Sequence, residues 1–235
     1  DGTISHYLAV KQDITEKRQA EAEITRLSYY DSLTGLANRP LLMDRLGHAL
    51  AALRREDRQG ALLMFDIDRF KNFNDARGHE LGDALLIALA ERIKTLLRDG
   101  DTLARLSGDE FAVLLHDITP HRETAGRRAL SVAEKIHLAL EKPFILDDDE
   151  ANITASIGIT LVPENESDNP LDAFRRSDTA LHRAKEAGGH QTAFFETQMG
   201  DMAQQRFRIE RELRQGLRAD QLRLFLQPQV DATGR

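Results

Sequence analysis

The run Ala61-Leu62-Leu63-Met64-Phe65 constrains the fold more than any other stretch of the chain, and it stops abruptly at Asp66-Ile67-Asp68. A continuous apolar run of this length reads as a buried central strand. Its end then poses a chemical problem. With a side-chain period of two, Asp66 and Asp68 fall on one face and Ile67 on the other. A carboxylate at the end of a buried strand is costly unless something positive meets it. Hard divalent cations take oxygen ligands and keep company with phosphates, so Asp66 is a candidate metal ligand. Asp68 has a plainer reading, because it precedes Arg69-Phe70-Lys71 and could cap a helix there.

A second acidic strand end lies downstream. Thr102-Leu103-Ala104 and Phe111-Ala112-Val113-Leu114-Leu115 are strand-like, and Arg105-Leu106-Ser107-Gly108-Asp109-Glu110 joins them. This predicts a β-hairpin with two acids at its tip. Asp and Gly are ordinary turn formers, so the tip alone demands no chemistry. Beside Asp66 it does: Asp66 and Asp109, on neighbouring strands, form a candidate pair of Mg²⁺ ligands.

The rest of the core is mostly helical in pattern. Asn38 and Pro40 fit an N-cap and first turn, and Leu42, Leu46, Leu50 and Leu53 give the following helix one apolar face. A short helix is predicted over Phe70 to Asn74. A long one is predicted over Gly82 to Arg98, with Leu85, Leu86, Leu89, Ile93 and Leu96 as its buried stripe. Another, from about Glu123 to Glu141, carries Ala125, Val132, Ile136 and Leu140. Ile153, Ala155, Ile157, Ile159 and Leu161 alternate with Thr154, Ser156, Gly158 and Thr160, which predicts a strand with one buried face. A last core helix holds Leu171, Phe174, Leu181 and Ala184, and Gln191 to Phe195 reads as a closing strand. The order predicts an α/β (α+β) domain with a mostly antiparallel central sheet and helices packed on it.

Both ends read as pieces of neighbouring units. Ile4 to Val10 is strand-like, and Ala20, Ile24 and Leu27 have the spacing of a short coiled-coil seam or of a solvated linker helix. Met202, Ile209, Leu213 and Leu217 mark a further amphipathic helix, and Leu222 to Asp231 a further strand. With 235 residues the chain holds one sizeable domain with extensions. A net charge of −7 argues against a nucleic-acid polymer as partner, though not against a nucleotide. The absence of Cys excludes disulfides and thiolate metal sites. No apolar run approaches the roughly 20 residues of a membrane span, and no signal peptide is visible. The expected setting is cytoplasmic, without direct membrane contact, within a larger protein whose anchoring the sequence leaves open.

The hairpin Ser107-Gly108-Asp109-Glu110-Phe111 resembles the signature of GGDEF domains, the diguanylate cyclases. The resemblance runs from Tyr30 to about Glu196. It includes Asp31-Ser32-Leu33-Thr34-Gly35-Leu36-Ala37-Asn38-Arg39, then Phe65 to Asp75, then Gly78-His79-Glu80-Leu81-Gly82-Asp83. Ser156-Ile157-Gly158-Ile159-Thr160 and Ala180-Leu181-His182-Arg183-Ala184-Lys185 follow in order. It implies a palm-like nucleotidyl cyclase fold with two carboxylates from adjacent strands around two metals. The implied reaction condenses two GTP into cyclic di-GMP and two pyrophosphates in a homodimer with Mg²⁺ or Mn²⁺. By the same resemblance Asp66, the carbonyl of Ile67 and Asp109 hold the metals. Asp109 or Glu110 accepts a proton, and the sequence leaves both open. Lys71 and Lys185 contact phosphates and stabilise charge in the transition state, Lys71 as part of the catalytic set. Asn74 and Asp83 read guanine, and Ser107 and Gly108 lie against the substrate. Arg98 and Asp101, in RxxD spacing, form a site where cyclic di-GMP inhibits. Without the resemblance, the two lysines read as solvated, Asp83 as a helix N-terminal acid, and Arg98 with Asp101 as a helix-end salt bridge. The flanks extend the pattern. Residues 1–13 look like the end of a PAS-type sensor, 14–30 a signalling helix, 31–196 the GGDEF domain, and 197–235 a linker helix with the start of an EAL phosphodiesterase domain. The chain stops before that last family's acidic ligands.

Three positions depart from the pattern. Ser107 replaces the first Gly, Gly189 stands where the family commonly has a phosphate-contacting Arg, and His182 replaces a common Tyr. They keep open a rival reading, a degenerate GTP-binding domain that regulates an attached EAL domain. A third is a cyclic di-GMP receptor or dimerisation module acting through Arg98.

Overall fold

The computed structural model describes residues 26–146 and 149–195, with single helical positions at 18, 24, 205, 209 and 213. The strands expected at Ile4 to Val10 and Leu222 to Asp231, and most of the two flanking helices, lie outside the described residues. The chain runs α1 (Arg39–Arg55), β1 (Gln59–Ile67), α2 (Phe70–Arg77), α3 (His79–Lys94), β2 (Thr102–Ser107), β3 (Glu110–Thr119) and α4 (Arg122–Leu140). It continues with β4 (Phe144–Leu146), β5 (Asp149–Ala151), β6 (Ala155–Val162), α5 (Pro170–Glu186) and β7 (Thr192–Phe194).

Five strands form one sheet in the order β2-β3-β1-β6-β7. The pairings are antiparallel except that β7 joins β6 in parallel. The apolar run thus becomes the central strand. The period of two splits its side chains between two cores. Ala61, Leu63, Phe65 and Ile67 pack on the side of α3 and α4, and Leu62 and Met64 on the side of α1 and α5. Each face of the sheet is covered by a pair of helices, which gives the mixed α/β, mostly antiparallel architecture expected. Phe65 stacks on Phe111 with ring centroids 5.3 Å apart, tying β1 to β3 immediately below the acidic strand ends.

Local chemistry sets the helix ends. Asn38 and Asn169 cap α1 and α5 by accepting from the backbone N–H of Leu41 and Asp172, and each is followed by a Pro in the first turn. α3 starts at His79 rather than Gly82 and ends at Lys94 rather than Arg98. Gly78, at φ +88, ends α2 and opens α3 with no loop between them, a conformation glycine adopts without a Cβ penalty.

The strand β6 is buried on both faces, not one. Its small residues carry α5: a Cβ on Gly158 would lie 2.1 Å from the Leu181 nitrogen and 2.4 Å from the Ser177 oxygen. Accordingly the buried face of α5 is Ala173, Ser177, Ala180, Leu181 and Ala184, while Leu171, expected in the core, is exposed. The short hairpin of β4 and β5 had no counterpart in the sequence pattern.

Candidate active site

Register brings the acids together. On β1, Asp66 pairs with Glu110 of β3 on one side and Ser156 of β6 on the other. Ser107 pairs with Glu110, leaving Gly108 and Asp109 as a two-residue loop. Gly108 has φ +48, at the loop position where a tight hairpin needs positive φ. Ser107 is not among the residues with positive φ, so the serine costs no backbone strain; its hydroxyl donates to Glu110 Oε2 at 2.9 Å. Asp109 lands beside Asp66, close enough for a hydrogen bond between the two carboxyls. From the last turn of α5, Lys185 reaches across and places Nζ 2.7 Å from Asp66 Oδ2. Burial pushes Asp66 up to about 6, with Lys185 opposing and the charges of Asp109 and Glu110 adding. Burial also raises Asp109.

A cavity of about 610 Å³ opens next to this cluster, lined by Asp66, Ile67, Phe70, Phe73, Lys185 and His190 among others. Its size is that of a small-molecule site. Ile67 is buried and stands in the wall of this cavity. Among the described residues no three His, Cys, Asp or Glu side chains converge on a point. Two carboxylates and a carbonyl suit a hard cation that completes its shell with phosphate oxygens and water. Burial is the first cause that raises Asp66 and Asp109, with neighbouring acids adding to it, and a bound cation would favour the ionised carboxylates against both. The residues present therefore fit Mg²⁺ or Mn²⁺.

The remaining candidates spread around this centre. Lys71 is exposed in the first turn of α2, and Asp83 is exposed one turn inside α3 rather than at its N-terminus. Neither lines the cavity. Asn74 is half-buried with its Oδ1 against Gly82, where a Cβ would come to 1.9 Å. That oxygen has no donor among the described residues.

Arg98 and Asp101 do not form the salt bridge of the plain reading. The Asp101 carboxylate accepts from the Arg98 backbone N–H at 3.2 Å, and the Asp101 N–H donates to the Arg98 carbonyl at 2.9 Å. This closed turn leaves the Arg98 guanidinium exposed, beside a cavity of about 300 Å³ that Arg128 and Lys135 also line.

Asp68 is not a helix cap. Its carboxylate accepts from Thr154 Oγ1 and Ser156 Oγ, both at 2.6 Å, and from the His190 backbone N–H at 2.9 Å. With those donors already engaged, the cap position of α2 falls to Arg69 at φ +58. Gly189, at φ +75, folds against the same carboxylate, so a Cβ there would lie 3.1 Å from Asp68 Oδ1. The loop that lacks the family Arg is thus packed onto Asp68.

A second link was unforeseen. Arg105 Nη1 donates to both oxygens of Asp31, at 3.0 and 3.1 Å, and its Nε donates to the Gly108 carbonyl at 2.9 Å. Thr34 closes the Asp31 turn through its N–H and its hydroxyl, at 2.8 and 2.6 Å. Burial alone would raise the Asp31 carboxyl, but the Thr34 and Arg105 hydrogen bonds outweigh it and hold the group below the ordinary range. The Asp-x-x-Thr turn was the available sequence signal.

Comparison with known proteins agrees with this geometry. A family model described as diguanylate cyclase, GGDEF domain, matches residues 28–191. The bifunctional diguanylate cyclase/cyclic di-GMP phosphodiesterase MucR of Pseudomonas aeruginosa is 41% identical over 216 residues, covering 92% of this chain and 30% of MucR. Cyclic di-GMP phosphodiesterase NbdA of the same organism is 37% identical, covering 89% of this chain and 26% of NbdA. Diguanylate cyclase TpbB, also of that organism, is 39% identical over 165 residues, covering 70% of this chain and 37% of TpbB. The chain thus spans only a quarter to just over a third of these relatives. The crystal structure of the TpbB GGDEF domain superposes with a TM-score of 0.65 at 37% identity, over 69% of this chain and 98% of that one. The GGDEF domain of DgcB from Caulobacter crescentus, in complex with c-di-GMP, gives 0.64 at 26% identity, over 72% of this chain and 96% of that one. Sheet order, acidic hairpin and family match agree: the chain belongs to the GGDEF domain family.

Proposed function

We propose that this domain is a diguanylate cyclase, condensing two GTP into cyclic di-GMP and two pyrophosphates. The observation that carries the reading is the Asp66–Asp109 carboxyl pair, raised by burial beside a nucleotide-sized cavity that Lys185 also lines. Asp66, the Ile67 carbonyl and Asp109 are the groups that would hold Mg²⁺ or Mn²⁺. When bound, the ion neutralises charge on the α-phosphate and favours an ionised 3′-oxygen. Lys185 and Lys71 meet phosphate oxygens. Asn74 and Asp83 read guanine, Asp83 accepting from its N1–H and N2–H, a donor pattern adenine lacks. Ser107 and Gly108 form the hairpin edge along which the nucleotide lies. Asp109, or Glu110 while it accepts from Ser107, takes the 3′-hydroxyl proton. Each domain holds one GTP, and two copies facing across a two-fold axis complete the reaction. Arg98 and Asp101 bind the product away from this cavity.

Incubating the protein with GTP and Mg²⁺ and resolving the nucleotides by chromatography tests the reading. Cyclic di-GMP should form, and Asp66→Ala or Asp109→Ala should lower its rate by at least about a thousandfold, roughly 4 kcal/mol of lost transition-state stabilisation. Near-normal product from either folded variant would sink the assignment. The tight Gly189 loop on Asp68, with no arginine, favours a second reading: a GTP-binding domain that regulates an attached phosphodiesterase. GTP binding in Ca²⁺ without any product in Mg²⁺ would select it.

A further inference from the structure

Three acids, Asp66, Asp109 and Glu110, crowd one end of the sheet, and Lys185 sits among them with Nζ 2.7 Å from Asp66 Oδ2. That oxygen belongs to a proposed metal ligand. The lysine is therefore placed where it competes with the metal for the same lone pairs. Its side chain is 40% exposed, while that of Asp66 is 12% exposed. α5 itself cannot shift easily, because it rests on the backbone at Gly158. A flexible four-carbon stem on a fixed helix, lining the cavity, lets the ammonium swing without moving the fold.

From this arrangement we infer that Lys185 is a placeholder cation that changes partners during loading. In the empty site it holds Asp66. When a divalent ion arrives it leaves Asp66 and turns to a phosphate oxygen of the nucleotide. The inference rests on the metal reading above and adds a consequence to it. Lys185 opposes binding of the metal alone but favours metal together with nucleotide, so it couples the two loading events and each tightens the other by the same factor.

The test is Mn²⁺ binding to the intact chain, followed by electron paramagnetic resonance of free Mn²⁺, with and without a non-reacting α,β-methylene analogue of GTP. Without nucleotide, Lys185→Met should bind Mn²⁺ about two- to fivefold more tightly, the scale expected for a partly screened ion pair. The same variant should bind the GTP analogue about tenfold more weakly, losing a charge-assisted hydrogen bond. Lys185→Arg should behave like the wild type without nucleotide. Arg69→Gln removes a charge from the same cavity wall without touching Asp66. It should leave Mn²⁺ affinity within about twofold. Lys185→Gln replaces Lys185→Met if the latter does not fold. Unchanged or weaker Mn²⁺ binding in the neutral Lys185 variants overturns the placeholder role while leaving the metal site standing. An equal gain in Arg69→Gln reduces Lys185 to part of a general field and also overturns it. Wild-type Mn²⁺ binding that survives Asp66→Ala overturns the metal reading, and the placeholder with it.

Discussion

The tip that carries Asp109 is tied down from outside the hairpin, through Arg105 of β2 to Asp31. Arg105 fixes the carbonyl of Gly108 with one nitrogen and the carboxylate of Asp31 with another, so the turn at the start of the domain and the acidic tip share one guanidinium. Both partners are largely buried, with the side chains of Arg105 and Asp31 11% and 21% exposed. Breaking such a link strands donors away from water, and Asp31→Asn should cost about 1–3 kcal/mol at pH 7. The pH dependence has a definite sign. Asp31 has a folded pKa below the ordinary carboxylate value of 3.8, so the stability it contributes is complete above that value and is lost as pH falls through the lower folded pKa. Urea unfolding of wild type and Asp31→Asn at pH 7 and near pH 3 checks this. The gap between the two proteins should narrow in acid, and a constant gap would remove the charge from the explanation.

At the scale of elements, the site depends on how closely α5 approaches β6. Gly158 allows helix backbone to touch strand backbone, and that contact fixes the height from which Lys185 reaches Asp66. Gly158→Ala inserts a methyl group between two backbones, and neither can yield as a side-chain tip would. It should destabilise by about 1–3 kcal/mol or more and shift α5, weakening nucleotide binding as well. Thermal unfolding and GTP-analogue calorimetry on the one variant read both effects; normal stability would mean that the helix is free to lift. The same contact explains what the sequence concealed. α1, β1, the β2–β3 hairpin and α4 each carry one clear period and were legible. On β6 the small and polar residues Ser156, Gly158 and Thr160 read as a solvent face, yet they are buried because a helix needs small neighbours to come this close. The early start of α3 was hidden because Gly78 ends one helix and begins the next without a loop. The candidate metal ligands were legible as strand ends. The role of Asp68 was not, because its donors lie 86 and more residues away in the chain.

The whole domain separates its two proposed nucleotide sites by the length of one strand. The turn at Arg98 and Asp101 precedes β2, and the acidic hairpin follows it. β2 has 6 residues, which at about 3.3 Å per residue puts roughly 20 Å between the two ends. On that spacing a dinucleotide at the proposed Arg98 site would not overlap GTP at the proposed active site, and inhibition would act instead on the arrangement of two copies. If two copies are needed, specific activity should rise with protein concentration through the dimerising range; activity per subunit that stays constant down to a proven monomer would contradict a shared reaction. On the entering helix Ile24 and Leu27 stand 65% and 52% exposed at coiled-coil spacing, an apolar edge suited to a second copy. Product can hold such a pair out of reaction only by binding the non-productive arrangement better, since equal affinity for both arrangements shifts nothing. The expected result is inhibition by cyclic di-GMP that added GTP does not relieve. Arg98→Ala, losing an exposed guanidinium that the closed turn leaves free, should weaken product binding by roughly 1.5–3 kcal/mol, about ten- to over a hundredfold. Calorimetry in Ca²⁺, which suppresses turnover, measures that affinity directly. Equal affinity in wild type and Arg98→Ala would return the Arg98–Asp101 turn to a purely structural role.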